Sequence, residues 1–173
     1  MQSNRLTLLL MAGLPGAGKT TLAGSLGCAL GWHVIDKDKR KQEMMKQGDD
    51  DDTSGRRAYD LSFAKAREML SIQRTSVILD SAALQRFILA SARDIVSSVE
   101  NARLKVILCV ADRDLRNDRL RKRPAQITTI RVDPFSIIDY LQHFEHLPSD
   151  KLTLFTHIPL EECRAQAINY LKT

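Results

Sequence analysis

The stretch that decides the fold is Gly13-Leu14-Pro15-Gly16-Ala17-Gly18-Lys19-Thr20, which matches the pattern G-x-x-x-x-G-K-[ST] at every fixed position. A short apolar run, Leu6–Met11, precedes it and has the length of a buried strand. Helix-forming residues follow from Thr21 to Leu30, and Gly31 is placed to end that helix. Strand, glycine-rich loop and helix in this order predict a phosphate-binding loop, because the loop N–H groups and the helix N-terminus together bind anions.

The phosphate-binding loop predicts how a nucleoside triphosphate is held. Lys19 is expected to reach the β- and γ-phosphates, and the Thr20 hydroxyl is expected to bind Mg²⁺. A GTPase is disfavoured, because the guanine-binding signature Asn-Lys-x-Asp is absent from the sequence. ATP and Mg²⁺ are therefore the predicted cofactors. The residues predicted to bind the nucleotide are Gly13, Leu14, Pro15, Gly16, Ala17, Gly18, Lys19, Thr20, Thr21 and Arg119.

The composition predicts an ordinary globular protein. The chain has 173 residues, 43% hydrophobic and 27% charged, which suits a single domain over residues 1–173. Its net charge of +5 indicates anionic partners, and a nucleoside triphosphate alone would satisfy that. A nucleic-acid partner is possible but less favoured, because basic clusters with interleaved aromatic residues are missing.

The cysteines and the hydrophobic runs indicate the cellular compartment of the protein. Cys28, Cys109 and Cys163 are far apart and mostly lie in apolar segments, which is typical of buried thiols in a reducing compartment. No apolar segment approaches the length of a membrane span, and no membrane partner is expected. We therefore expect a cytoplasmic protein, and the sequence leaves its oligomeric state open.

The rest of the chain alternates between predicted strands and helices. Further strands are predicted at 33–36, 76–80, 105–110 and 152–156, and further helices at 39–47, 56–73, 84–99, 112–123, 133–146 and 159–171. The segment 49–55 begins with four consecutive aspartates, so we expect a mobile, solvated loop, with cation binding as the alternative. The alternation predicts an α/β fold with a parallel sheet covered by helices on both faces.

Carboxylates follow the ends of several predicted strands, at the edge where parallel sheets bind ligands. Asp38 is the candidate general base, with capping of a helix that begins near Lys39 as its alternative role. Asp80 ends an apolar strand and is the candidate Walker B carboxylate that binds the metal. Asp36 either helps to hold Mg²⁺ through water or pairs with a neighbouring lysine.

The segment 112–123 is rich in arginine. Arg116, Arg119 and Arg123 are spaced by three and four residues, so they share one face of the predicted helix. This face could close over a triphosphate as a lid, over residues 112 to about 130, and offset the charge that develops during transfer. The alternative is a solvated helix whose arginines pair with nearby aspartates. Arg119 and Arg123 are the predicted catalytic cations of the lid.

These motifs together resemble the small P-loop kinases that are often described as AAA family ATPases. The matching segments are Gly13–Ala23, Val34–Asp38, Val77–Ser81, Arg119–Arg123 and the C-terminal segment Pro159–Leu171. Relatives of that group include chloramphenicol phosphotransferase, zeta toxins, gluconate kinase and the kinase domain of polynucleotide kinase. The resemblance covers nearly the whole chain.

The resemblance implies a three-layer P-loop NTPase fold, with five parallel strands in the order 2-3-1-4-5 and an arginine-rich lid. It also implies that Asp38 is the base. The chain departs from the polynucleotide kinases, which favour Asp-x-x-Arg after the second strand, because Lys41 stands three residues after Asp38. It also lacks the glycine run that shikimate kinases share after the third strand.

The sequence thus predicts an ATP-dependent kinase that transfers the γ-phosphoryl group to a hydroxyl of a small molecule. The acceptor is unnamed, and segments 36–60 and 80–90 are expected to build its pocket. A 5′-hydroxyl nucleic-acid kinase and a regulatory ATP-binding switch without transfer are the alternatives. The predicted catalytic residues are Lys19, Asp38, Arg119 and Arg123, and the predicted metal-binding residues are Thr20, Asp80 and Asp36.

Overall fold

The structure is a computed structural model that describes residues 5–46, 48, 50–123 and 136–173. Five strands form one sheet in the order β2-β3-β1-β4-β5, and each neighbouring pair runs parallel. This topology confirms the predicted α/β fold and strand order. The strands are β1 (Leu6–Ala12), β2 (His33–Asp36), β3 (Val77–Asp80), β4 (Ala102–Val110) and β5 (Leu152–Phe155).

Helices surround the sheet and bury its central strands. Every residue of β1 and β3 is buried, as expected for parallel strands that are covered on both faces. The first helix packs against the last one, and the third packs against the fourth. The helices are α1 (Lys19–Leu30), α2 (Lys37–Lys46), α3 (Asp51–Ser71), α4 (Arg86–Ser97), α5 (Arg113–Arg121), α6 (Ile137–Gln142) and α7 (Leu160–Lys172).

The structure corrects the prediction for the segment that begins with four aspartates. The expected mobile loop over 49–55 is wrong for its described residues, because α3 begins at Asp51. Asp50 is the N-cap, and its carboxylate accepts a hydrogen bond from the Thr53 N–H at 2.9 Å. Negative charge is favourable at a helix N-terminus, and this interaction offsets part of the repulsion between the aspartates.

The start of α2 corrects a second prediction. The helix begins at Lys37, directly after β2, and its first turn is capped by Asp36, whose carboxylate accepts a hydrogen bond from the Lys39 N–H at 3.0 Å. The alternative role of Asp38 as the N-cap is therefore wrong. Since no residue separates the strand from the helix, the last strand residue provides the cap and Asp38 lies in the first turn.

Two further observations complete the fold. The sixth helix has a capping box, in which Ser136 and Asp139 exchange hydrogen bonds between their side chains and backbone N–H groups. Its predicted start at 133–135 lies outside the described residues. Among the helices that the structure describes, none is both long enough and apolar enough to cross a membrane.

Candidate active site

The phosphate-binding loop joins β1 to α1, and two of its glycines are required by close approach. A Cβ atom at Gly13 (φ 141°) would lie 2.6 Å from the Cys109 carbonyl oxygen and 2.8 Å from the Tyr140 hydroxyl. A Cβ atom at Gly16 (φ 80°) would lie 2.6 Å from the Arg116 carbonyl oxygen. The loop is therefore packed directly against the end of β4 and against α5, and only glycine fits at these two positions.

Lys19 lies at the start of α1 and folds back over the loop. Its Nζ donates a hydrogen bond to the Leu14 carbonyl oxygen at 3.1 Å. Burial lowers the pKa of Lys19, while the negative charge of Asp80 opposes that shift. The lysine is thus held beside the loop and next to a carboxylate, and an anionic ligand at the loop would further stabilise its charged form.

Thr20 and Asp80 meet below the loop. Asp80 is only 4% exposed, and burial raises the pKa of its carboxyl group, while a hydrogen bond with the Thr20 side chain and the charge of Lys19 lower it. Asp36 is directly opposite Asp80 in the β2–β3 register. The predicted metal-binding residues therefore come together, although the capping bond to α2 engages one carboxylate oxygen of Asp36.

This donor set fits Mg²⁺. Hydroxyl and carboxylate oxygens are the ligands that Mg²⁺ prefers, and the ion is commonly held by one or two protein groups together with substrate phosphates. Within the ranges that the structure describes, no group of three or more His, Cys, Asp or Glu residues is arranged to hold a metal ion by itself. The Thr20 hydroxyl and the Asp80 carboxylate are oxygen donors of the kind that Mg²⁺ prefers.

Asp38 lies on the same edge of the sheet and remains accessible. Its side chain is 70% exposed and forms an ion pair with Lys37 at 2.5 Å. Its charge acts on the pKa values of Lys19, Asp80 and Tyr59, which indicates that the carboxylate faces this region. A carboxylate that is close to the loop and open to solvent can meet a hydroxyl group and accept its proton.

Segments 36–60 and 80–90, which were expected to build the acceptor pocket, meet beside Asp38. The Tyr59 ring contacts Phe87 edge-on, with the ring centroids 5.4 Å apart. Lys37 Nζ lies 5.1 Å from the centroid of the Tyr59 ring. Burial is the main cause that raises the pKa of Tyr59 to about 12, so this hydroxyl stays protonated at neutral pH and can donate a hydrogen bond.

Arg119 joins three parts of the site. Its Nη1 atom donates to the Gly16 carbonyl oxygen at 3.2 Å and to the Thr156 hydroxyl at 2.9 Å. Its Nη2 atom donates to the Thr156 carbonyl oxygen at 2.6 Å. The Thr156 hydroxyl in turn donates to the Ala17 carbonyl oxygen at 2.8 Å. These bonds tie α5 and the segment after β5 to the phosphate-binding loop.

A cleft of about 330 Å³ lies beside the loop. Apolar side chains line one part of it and cations line another, so it can accept a planar base next to phosphates. The half-buried Pro15 lies in the turn before Gly16 and does not line this cleft. The lining residues are Gly16, Gly18, Thr21, Leu22, Arg119, Lys122, Arg123, Thr156, Ile158, Leu160 and Cys163.

The structure corrects the prediction of a single arginine face. Arg116 is fully buried, its Nη1 donates to the Ala111 carbonyl oxygen at 2.6 Å, and its guanidinium lies 4.9 Å from the centroid of the Tyr140 ring. It cannot close over a ligand, because its part of α5 lies beneath Gly16. Arg119 and Arg123 do line the cleft. The remainder of the predicted lid, residues 124–130, lies outside the described residues.

A family model described as "AAA domain" matches residues 8–147 of the chain. The chain belongs to this family. The match includes the phosphate-binding loop and all the residues predicted to be catalytic or metal-binding. No curated protein matches the chain.

Solved structures show which fold this AAA domain adopts. A kinase candidate from Chloroflexus aurantiacus superposes with a TM-score of 0.72 at 21% identity, covering 96% of this chain and 99% of its own. The APS kinase of Mycobacterium tuberculosis in complex with AMPPNP and APS gives 0.68 at 18% identity, covering 98% and 99%. A gluconokinase from Sinorhizobium meliloti gives 0.61 at 18% identity, covering 97% and 92%. The chain has the P-loop kinase fold over nearly its whole length.

Two residues that hold the phosphate-binding loop in place were missed by sequence reasoning. The Tyr140 hydroxyl accepts a hydrogen bond from the Leu14 N–H at 2.8 Å and donates one to the Cys109 carbonyl oxygen, so α6 holds the loop to β4. No sequence signal joins Tyr140 to the loop. A signal for Thr156 was available, because the carboxyl end of the fifth strand lies at the ligand-binding edge.

Proposed function

We propose that this protein is an ATP- and Mg²⁺-dependent phosphotransferase that acts on a hydroxyl group of a small molecule. The observation that carries the proposal is the convergence of Lys19, Thr20, Asp80 and Asp38 around one glycine-rich loop. A phosphate site, a metal-compatible oxygen pair and an accessible carboxylate are the groups that phosphoryl transfer requires.

The nucleotide would bind in the cleft beside the loop. Loop N–H groups and Lys19 would hold its phosphates, and the apolar wall formed by Leu22, Ile158 and Leu160 would contact its base. Arg119 is already fixed to Gly16 and Thr156, so it presents a positioned guanidinium rather than a mobile one. Thr20 and Asp80 would hold Mg²⁺, which, when bound, neutralises charge on the phosphate oxygens.

Asp38 would act on the acceptor. As the acceptor oxygen bonds to the γ-phosphorus and the bond from that phosphorus to the β,γ-bridging oxygen breaks, the hydroxyl proton passes to the Asp38 carboxylate. Asp38 is exposed on the side where Tyr59 and Phe87 meet. A small molecule lying against these rings would place its hydroxyl near the carboxylate.

A substrate screen tests the reaction. ATP consumption is measured against pooled hydroxyl metabolites and a single-stranded oligonucleotide with a free 5′-hydroxyl, and mass spectrometry identifies the phosphorylated product. We expect a small-molecule product. Phosphorylation of the oligonucleotide alone would replace the proposal with a nucleic-acid kinase, and tight ATP binding without any product would favour a regulatory switch.

The variant Asp38→Asn tests the role of the base. Transfer should fall by about 10²–10⁴-fold while ATP affinity stays within about threefold, because a general base contributes to the chemical step. The matched control is Asp114→Asn, which changes a carboxylate that is 91% exposed on α5 and should leave the rate unchanged. Full transfer by Asp38→Asn would show that another group removes the proton.

A further inference from the structure

The edge of the sheet opposite the phosphate-binding loop holds a second cleft, with a volume of about 520 Å³. It lies where β1 and β4 begin, since Leu6 pairs with Ala102 there, and α4 forms another wall. The seven residues of β1 separate this edge from the loop, which corresponds to about 20 Å. The residues of this cleft therefore lie too far from the phosphate-binding loop to take part in binding phosphates there.

The cleft is strongly basic. Arg5, Arg93, Arg103 and Lys105 line it, with Asp150 as the acidic side chain among the lining residues. Within the described part of the chain, none of these four cations lies within ion-pairing distance of a carboxylate.

Two of the cations are held in fixed positions. Arg103 donates to the Thr7 hydroxyl at 3.1 Å and to the Leu171 carbonyl oxygen. Lys105 donates to the Thr173 hydroxyl at 2.9 Å, and its Nζ lies 4.4 Å from the centroid of the Tyr170 ring.

Four cations and one acidic side chain leave the lining of the cleft with an excess of positive charge. Burial, and then the charges of Arg103 and Arg5, lower the pKa of Lys105, while Asp150 opposes the shift. The positive charges therefore repel one another in a preformed arrangement, and an anionic ligand would relieve that repulsion.

We propose that this basic cleft is a second anion-binding site, which takes a small molecule that carries a phosphate monoester or a pyrophosphate group. Guanidinium groups bind such oxyanions through paired hydrogen bonds, and several cations around one cleft match a doubly charged group better than a single carboxylate. Its volume lies in the range of small-molecule pockets, roughly 300–1,000 Å³, and suits a ligand of mononucleotide size or smaller. The site goes beyond the proposed transfer reaction and does not depend on it.

Isothermal titration with inorganic pyrophosphate tests the proposal on the full chain. The variant Lys19→Ala weakens the phosphate-binding loop, so binding that persists in it reports on the second cleft. Adding Arg93→Glu should weaken that binding by about tenfold or more, since bonds to charged groups are strong. The matched control, Arg113→Glu, reverses the charge of an exposed arginine at the opposite edge of the sheet and should change the affinity by less than about twofold.

The substitutions Arg93→Glu and Arg113→Glu distinguish binding in the basic cleft from binding at the carboxyl edge of the sheet. If the remaining pyrophosphate were bound at the carboxyl edge, Arg113→Glu would weaken it at least as much as Arg93→Glu. That result, or no pyrophosphate binding in Lys19→Ala, would overturn the proposal. Arg93 is exposed on α4, so its replacement should leave the fold intact, which circular dichroism and the melting temperature verify. The neutral variant Arg93→Gln should give an intermediate loss.

Discussion

The substitution Tyr140→Phe removes one hydroxyl from beneath the phosphate-binding loop. That hydroxyl accepts a hydrogen bond from the Leu14 N–H and donates one to the Cys109 carbonyl oxygen. The aromatic ring stays, together with its contacts to Phe144 and Arg116, so no large cavity is created. The change therefore isolates the effect of two buried hydrogen bonds.

The expected loss of stability follows from these two bonds. Leu14 and Tyr140 are both almost fully buried, so water does not readily replace the missing partner. Leaving the Leu14 N–H unsatisfied costs about 1–3 kcal/mol, and losing the bond to Cys109 costs about 1 kcal/mol. The free energy of unfolding should fall by about 2–4 kcal/mol, which lowers the melting temperature of a 173-residue chain by roughly 6–12 °C.

The same change should weaken ATP binding, because Tyr140 holds the N–H of Leu14, and the carbonyl oxygen of that same residue accepts the bond from Lys19. Ordering a loosened loop at the moment of binding should raise the Kd for ATP by about fivefold to tenfold. Calorimetric titration of ATP with Mg²⁺, well below the melting temperature of the variant, measures this effect. Denaturant unfolding measures the stability.

The matched control is Tyr170→Phe, because Tyr170 is also a tyrosine whose hydroxyl bonds to backbone groups. It accepts a hydrogen bond from the Val106 N–H at 3.3 Å, in the middle of β4 and away from the phosphate-binding loop. It should lower stability by about 1 kcal/mol and leave ATP affinity unchanged. The reasoning is refuted if Tyr140→Phe loses less than about 1 kcal/mol, or if both variants weaken ATP binding equally.

Two other measurements address local environments. Cys28 is exposed, whereas Cys109 and Cys163 are buried and burial raises the pKa of both thiols, that of Cys109 to about 12. A thiol reagent at pH 8 should therefore label one cysteine in the native chain and three in denaturant, and fast labelling of Cys109 would contradict the structure. Hydrogen bonds from Ser136 lower the pKa of Asp139 below its usual 3.8, so the stability it contributes is present above that value and is lost as the pH falls through the folded-state pKa. An NMR titration should show the lowered pKa in the parent and a rise towards 3.8 in Ser136→Ala, and equal values in both proteins would show that the Ser136 hydroxyl does not bond to Asp139.

The sheet could be predicted well because its physical signals are local. β1 and β3 are buried along their whole length and are mostly apolar, as strands covered on both faces are expected to be; Gly13 follows β1, and Asp80 ends β3. The order of the strands came from the resemblance to P-loop kinases, since residue patterns alone leave several orders open. Strand β4 begins at Ala102, earlier than predicted. Its first three residues were missed because they include the charged Arg103, which borders the basic cleft and interrupts the apolar pattern.

The candidate site was only partly predictable. Thr20, Asp36 and Asp80 meet because parallel strands bring their carboxyl ends to one edge. The buried position of Arg116 could not be deduced, because helical spacing shows which residues share a face but not which face lies under the loop. The role of Tyr140 depends on a contact across 126 positions of sequence, which no local pattern encodes.

The prediction of a loop over 49–55 was wrong because it considered the repulsion between the aspartates but not the interactions that offset this repulsion in a helix. Four adjacent carboxylates repel one another in any conformation, so repulsion alone does not distinguish a loop from a helix. The N-cap bond from Thr53 to Asp50 and the favourable field at a helix N-terminus do distinguish them. The spacing Asp-x-x-Thr was present in the sequence and was the signal to consider.

The bond from Thr156 to Ala17 has a consequence for the newly made chain. The two residues are 139 positions apart, so at about 5–20 residues per second the ribosome needs roughly 7–28 s to add Thr156 after Ala17. During that interval the phosphate-binding loop lacks its last partner, and Arg119 lacks the carbonyl oxygen that it later binds. Under the proposed function, we therefore expect nucleotide to stabilise the protein most after the fifth strand and Thr156 have been made.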